Sequence, residues 1–201
     1  MPRILSDADV ADFRERLCAA AESLFAAKGL DGVTMRQLAS ELGVSPMTPY
    51  RYFRDKNEIL AAVRANGYQR FAEMLERARA GDRSARSRGA AVGEAYIAFA
   101  FEQPDAYKLM FDFNQPDEEA YPELVAATQR ASAQMSGWVE ELIASGDLAG
   151  DPVEVGLMFW AGAHGAVVLE MAGRLPKGGA RRLQMALAST LARGLRPEKP
   201  G

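Results

Sequence analysis

Between Gly43 and Asp55 the chain reads Val44-Ser45-Pro46-Met47-Thr48-Pro49-Tyr50-Arg51-Tyr52-Phe53-Arg54, with two prolines three residues apart. Proline has no N–H, and its ring clashes with the preceding helical turn, so a helix interior excludes it at a cost of about 3 kcal/mol. Two so close together fit only a turn or the first turn of a helix, where the N–H groups have no intrahelical partner. With Ser45 as the cap, Pro46 falls at the first helical position. With Thr48 as the cap, Pro49 does, and the opening turn is 3₁₀-like. The spacing predicts a short helix within Ser45 to Phe53, stiff at its start.

What flanks this segment is helical. Val10, Phe13, Leu17, Ala21, Leu24 and Phe25 recur at the spacing of one buried helical stripe, which Gly29 closes as a left-handed cap. Thr34 is placed as an N-cap for a shorter stripe of Met35, Leu38, Ala39 and Leu42, and Gly43 ends it. Asp55 caps a further helix over Lys56–Arg79. A short helix, a glycine turn and a second short helix make a helix-turn-helix pattern. The polar run from Gly81 to Gly89 reads as a hinge. Beyond it, Asp151, Pro152 and Glu154 form a strong helix start, and Gly179 opens a last helix. No strand-like alternation occurs, β-branched residues are sparse, and the fold class expected is all-α. The expected division is a helix-turn-helix domain over 1–55 and a helical domain over 56–201.

Hydrophobic residues are 48% and charged residues 25% of the 201-residue chain, which places it among globular proteins. One cysteine, Cys18, excludes an intramolecular disulfide and fits a reducing cytoplasm. The start of the chain meets acidic residues at once, which argues against a signal peptide. The longest uncharged run, Val155 to Leu169, falls short of the roughly 18–20 residues a membrane span needs. There is no Gly-x-Ser-x-Gly, no His-Glu-x-x-His and no phosphate-binding glycine loop, so neither an enzyme nor a metal or cofactor is expected.

Charge is unevenly distributed. From 34 to 64, the bases Arg36, Arg51, Arg54, Lys56 and Arg64 outnumber the acids, whereas from 100 to 170 only Lys108 and Arg130 oppose a large acidic excess. Ser45, Thr48, Tyr50 and Tyr52 offer hydroxyls, and Arg51 and Lys56 offer charge, suited to phosphate oxygens and base edges. Phe53 is expected to point inward with Leu38, Leu42 and Val44.

The stretch from Gly29 to Leu60 resembles the N-terminal domain of TetR-type transcriptional regulators, through Gly32, Thr34, Leu38-Ala39, Gly43-Val44-Ser45, Thr48, Tyr50, Tyr52-Phe53, Lys56 and Leu60. Trp160, His164 and Gly165 are similar to a Trp-x-x-x-His-Gly element of one TetR subgroup. The resemblance implies a three-helix DNA-binding domain joined to a ligand-binding and dimerisation domain. By position, Thr34 and Arg36 would touch the DNA backbone, Ser45, Thr48, Tyr50, Arg51 and Tyr52 would face double-stranded DNA, and Lys56 would meet a phosphate. The chain departs from the family pattern at Pro46 and Met47, which leaves Tyr50 and Arg51 for base edges. A homodimer through the last two helices is implied, reading two half-sites of a palindromic operator.

Tyr96, Phe99, Tyr107, Met110, Phe111, Phe113, Met135, Trp138, Met158, Phe159 and Trp160 form an aromatic- and methionine-rich middle. Such residues line apolar ligand cavities or simply fill a core. As a ligand site for a small hydrophobic effector, the candidates are Tyr96, Phe99, Tyr107, Met110, Phe111, Met135, Trp138, Trp160 and His164. His164, the one histidine, either meets a ligand or closes a buried network. The acidic excess argues against an anionic ligand.

Overall fold

The structure, a computed structural model, describes residues 6–81, 84–112 and 117–197. Among these residues all regular structure is helical, and the expected all-α class holds: α1 (Asp7–Lys28), α2 (Met35–Glu41), a 3₁₀ turn (Pro49–Arg51), α3 (Lys56–Arg79), α4 (Ala85–Glu102), α5 (Pro104–Phe111), a second 3₁₀ turn (Glu118–Ala120), α6 (Pro122–Ala144), α7 (Pro152–Met171) and α8 (Gly179–Gly194). Phe113 lies outside the described residues. The helices pack as two compact units, one holding the chain up to Gln69 with Gln103–Thr128, the other Arg70–Glu102 with the chain from Gln129 onward. Division by packing therefore falls inside α3 and α6 rather than at residue 55.

Unit 1 is built on Leu17, Phe25, Val33, Leu38, Phe53, Ile59 and Val63, all buried in one cluster. Burying each such side chain contributes about 1.5–3 kcal/mol. Cap chemistry fixes the helix starts. Thr34 Oγ1 accepts from Gln37 N at 3.2 Å while Gln37 Oε1 accepts from Thr34 N at 2.8 Å, a reciprocal capping box. Asp55 Oδ1 accepts from Glu58 N at 2.9 Å at the head of α3. At the end of α2, Val44 N donates to Ala39 O and Gly43 N to Ser40 O, a Schellman motif in which Gly43 takes φ +66°. Gly29 also takes a positive φ, but with ψ near 171° it is not the left-handed helical cap its position suggests.

α5 belongs to this unit. Leu109 joins the core cluster, and the Lys108 ammonium donates to Ala26 O in the last turn of α1, where a cation complements the helix dipole. Cys18 sits in the same core, and burial pushes its thiol up to about 12.

Unit 2 holds a cluster in which Phe71 packs on Phe99 at 4.9 Å and on Tyr96 at 5.5 Å between ring centres. Helix α4 begins at Ala85, four residues before the glycine expected to close the hinge. Gly89 lies inside this helix, and the Trp138 ring lies where its Cβ would be, so a side chain has no room. The Glu141 carboxylate accepts from both Arg79 and Arg88, which fastens α3 and α4 to α6 within the unit.

The 20 residues of α7 are long and apolar enough, by length and composition, to cross a membrane, which the fifteen-residue run did not suggest. Its acids, Glu154 and Glu170, stand near its two ends and leave the middle uncharged. Only 22% of its apolar window is buried within the chain, and Val153, Leu157, Met158, Val168, Leu169 and Met171 are exposed on it. Met185 and Leu187 add exposed apolar surface on α8, which packs against α7.

Candidate functional site

The segment from Ser45 to Phe53 is shorter in regular structure than its sequence promises. Only Pro49–Arg51 forms a 3₁₀ turn, preceded by a turn closed by Thr48 N donating to Ser45 O at 2.8 Å. Thr48 stands at the cap position, but its side chain makes no capping bond. Ser45 Oγ accepts from Met47 N at 3.4 Å, a weak contact. The full helix is missing because two prolines remove two donors from a span of few residues. Tyr52 N and Phe53 N both donate to Pro49 O, at 3.0 and 3.1 Å, so this carbonyl closes the segment.

Burial sorts the side chains. Pro49 and Phe53 point inward, as expected for Phe53, while Ser45, Pro46, Met47, Tyr50 and Arg51 are exposed. Met47 is 67% and Tyr50 49% exposed, which is high for large apolar side chains standing together at one turn. Thr34 and Arg36, at the start of α2, are also exposed. Thr48 is half-buried.

Two expected contacts are spent elsewhere. The Tyr52 ring stacks on Phe13 with centres 4.2 Å apart, and its carbonyl accepts from Arg14 Nη1 at 2.7 Å. The ring thus belongs to the core of unit 1 rather than to the exposed face. Lys56, expected on a phosphate, has its ammonium on Leu30 O at 2.8 Å and Val33 O at 3.4 Å, with Asp31 Oδ1 at 3.6 Å. Those carbonyls lie at the turn before α2, and Lys56 holds that turn closed.

Unit 2 holds a partly open cavity of about 450 Å³. Of the residues named for a ligand site, Tyr96, Met135, Trp138 and Trp160 line it, with Phe159, Leu142 and Leu148 completing the apolar wall. The other expected ligand residues do not. Tyr107, Met110 and Phe111 lie on α5 in unit 1, where Tyr107 packs on Phe111 and the Met110 carbonyl accepts from Tyr68 Oη at 2.9 Å. Phe99 is fully buried against Phe71. His164 is not in the lining but stands behind it, Nδ1 lying 3.1 Å from Tyr96 Oη.

Trp160 Nε1 donates to Tyr96 Oη at 3.2 Å, and the same hydroxyl shares a hydrogen bond with His164 Nδ1. Burial lowers the His164 pKa, which favours the neutral ring. The network His164 closes is the structural alternative raised by the sequence. It also satisfies the polar tip of Tyr96, so the ring presents an apolar face to the cavity.

Arg86, Gly89, Ala90, Gly93 and Gln184 line the cavity and were not among the expected residues. The signal was a stripe of small residues, Gly89, Ala90 and Gly93, on one side of α4. Among the described residues no group of three His, Cys, Asp or Glu side chains could hold a metal.

Residues 17–63 match the family described as bacterial regulatory proteins, tetR family, and residues 90–193 match the tetracyclin repressor-like C-terminal domain. The chain belongs to the TetR family of transcriptional regulators. An uncharacterised HTH-type transcriptional regulator of Mycobacterium tuberculosis, Rv0681, is 30% identical over 163 residues, 80% of this chain and 71% of that protein. A protein of unknown function from Rhodococcus sp. RHA1 has a solved structure with TM-score 0.79 and 32% identity, covering 98% of this chain and 100% of its own. SmeT, the repressor of the Stenotrophomonas maltophilia efflux pump SmeDEF, shares the fold at TM-score 0.68 and 22% identity, covering 92% of this chain and 91% of its own. In this TetR-family chain the N-terminal match takes in α2 and the proline turn, and the C-terminal match takes in nearly all the residues that line the cavity.

Proposed function

We propose that the chain is a cytoplasmic repressor that binds a palindromic operator as a homodimer and lets go when a small apolar effector fills the unit 2 cavity. The observation that carries this reading is the exposed turn: Ser45, Pro46, Met47, Tyr50 and Arg51 stand out together at a site whose own core is closed by Pro49 and Phe53. Functionally, residues 1–55 do the DNA binding and 56–201 the sensing and pairing. Arg51 and Tyr50 reach base edges, Met47 and Pro46 make apolar contact, and Thr34, Arg36, Ser45 and Thr48 hold phosphates. Tyr52 and Lys56 serve by shaping this surface.

Dimerisation is supported by the apolar face of α7 and α8. Leu157, Met158, Val168, Leu169 and Met185 are too large and too many to leave in water without a partner. A homodimer offers two such turns to half-sites about 34–36 Å apart, one helical repeat. Effector binding selects the subunit arrangement whose turns miss that spacing, with α3, which contributes to both units, carrying the change.

The test is fluorescence anisotropy of the full chain on duplex DNA over a salt series. Binding should weaken linearly in log salt, Arg36→Ala should lower the slope by about one, and Arg51→Ala should weaken binding at every salt concentration with the slope little changed. An affinity that Arg51→Ala leaves untouched would refute the role given to this turn. Leu157→Glu with Val168→Glu should yield monomers by sedimentation, and a dimer surviving both would refute the interface.

A further inference from the structure

Although acids dominate the second half of the chain, the cavity is not acidic. Glu94, on its wall, is paired with Arg181 at 2.8 Å, and Asp147, beside lining Leu148, accepts from Ser145 Oγ at 2.8 Å. At the other end of α4 the balance reverses. The Glu141 carboxylate there accepts from both Arg79 and Arg88. Arg86, exposed at the rim of the lining, has no carboxylate partner among the described residues. Arg193, next to lining Ala192, spends its guanidinium on the hydroxyls of Ser189 and Thr190 at 2.9 and 3.1 Å.

The two ends are separated along α4. Arg181 meets Glu94, and the Gln184 amide lies over Gly93, so α8 runs back along α4 towards the Arg86 end. From Arg86 to Gly93 is seven residues, about 10 Å of helix. Trp138, over Gly89 with Phe159 packed on its ring, lies within that span, and Trp160 and the apolar face of Tyr96 continue the wall. A trough of this kind has an uncompensated cation at one end, an apolar middle and a neutral amide at the far end. Among the described residues no hydrogen bond reaches that amide.

We propose that the cavity takes an apolar monocarboxylate, with its chain between Trp138, Phe159 and Trp160 and its carboxylate on the Arg86 guanidinium. This rests on the effector reading above and names the ligand's chemical class. A cationic amphiphile is disfavoured because no lining carboxylate is left unpaired to receive it. A neutral one fills the trough but gains nothing from the Arg86 guanidinium. The planar guanidinium suits a carboxylate, to which it presents two parallel N–H groups.

The probes are decanoate, decanol and decylamine, titrated into the full chain below micelle-forming concentrations and followed by tryptophan fluorescence and thermal shift. Decanoate should bind at least about tenfold more tightly than decanol, a difference of 1.4 kcal/mol, and decylamine most weakly. Arg86→Gln should bring decanoate down to the level of decanol, and Arg86→Lys should retain part of the preference. Equal binding of decanoate and decanol, tighter binding of either comparator, a preference that survives Arg86→Gln, or no binding of any probe would each overturn the assignment. The salt-dependent DNA assay on the same preparation separates the two readings. Intact, Arg51-dependent DNA binding with no carboxylate preference sinks only this inference. A carboxylate preference with Arg51-independent DNA binding sinks only the parent reading.

Discussion

The Arg14 guanidinium lies over the face of the Phe53 ring, 4.1 Å from its centre, while Nη1 of the same group donates to the Tyr52 carbonyl. One residue of α1 thereby fixes both the ring and the backbone where the proline turn ends. A cation over a ring contributes about 0.5–1 kcal/mol, and a charged hydrogen bond about 1.5–3. Arg14→Ala should therefore destabilise the chain by about 2 kcal/mol in urea unfolding and weaken DNA binding with no change in the salt slope. Arg14→Lys, which keeps the charge but not the planar fork, should fall between. A salt slope that drops in Arg14→Ala would mean that Arg14 is itself a phosphate contact.

Gly43 offers a test of the turn from its other end. It takes φ +66°, and a Cβ there would meet nothing within 4 Å. The cost of a side chain is therefore backbone strain alone, about 1–2 kcal/mol for an ordinary L-residue. Gly43→Ala should lose about that much, and Gly43→Asn less, because asparagine adopts this conformation more readily. Urea midpoints of the two variants decide it, and equal losses would point to a packing cause.

At Gly89 the prediction has the opposite origin. The Trp138 ring occupies the space of a Cβ, and a large planar ring packed in a wall has little freedom to withdraw. Gly89→Ala should cost about 1–3 kcal/mol despite the better helix propensity of alanine. It should also shift tryptophan emission, since the displaced ring lines the cavity. A stabilised variant with unchanged emission would refute the contact.

His164 sets a pH dependence whose sign follows from burial. Its pKa is lowered in the folded chain, so between the ordinary value near 6.5 and the folded value the unfolded chain binds the extra proton. This contribution is fully present above pH about 6.5 and is lost as pH falls below it. Urea midpoints should drop on going from pH 7.5 to 5.5, and His164→Gln should flatten that part of the profile. Glu76, Glu141 and Glu170, which their hydrogen-bond partners hold below the usual carboxylate range, act only at more acidic pH. A profile that His164→Gln leaves unaltered would show the histidine titrating as in water.

Cap chemistry is why so much of the fold could be read from the chain. Thr34, Asp55 and the Asp151-Pro152 pair act on donors within three residues of themselves, and nothing distant can overrule them. Gly43 was legible for the same reason. The allegiance of α5 was not. Its Tyr107, Met110 and Phe111 have the composition of a ligand wall, but a helix of eight residues can turn one apolar face to whichever core has room. Leu109 in the unit 1 cluster and Lys108 on the end of α1 decide the matter, and both are contacts across about eighty residues of chain. Charge misled in the same manner. The acidic excess from 100 to 170 is real, yet Glu141 within it is claimed by two arginines that precede that stretch. Tyr52 and Lys56 match the family pattern as types of residue, but Phe13 and the turn at Leu30 to Val33 determine where they point.

The burial of Cys18 has a practical corollary. It is the sole thiol in the sequence and is held in the protonated, unreactive form, so an alkylating reagent can attack it only when α1 lifts from its neighbours. Its labelling rate is an inbuilt clock for opening of the N-terminal helices, readable by mass spectrometry on the unmodified protein, with or without operator or effector present.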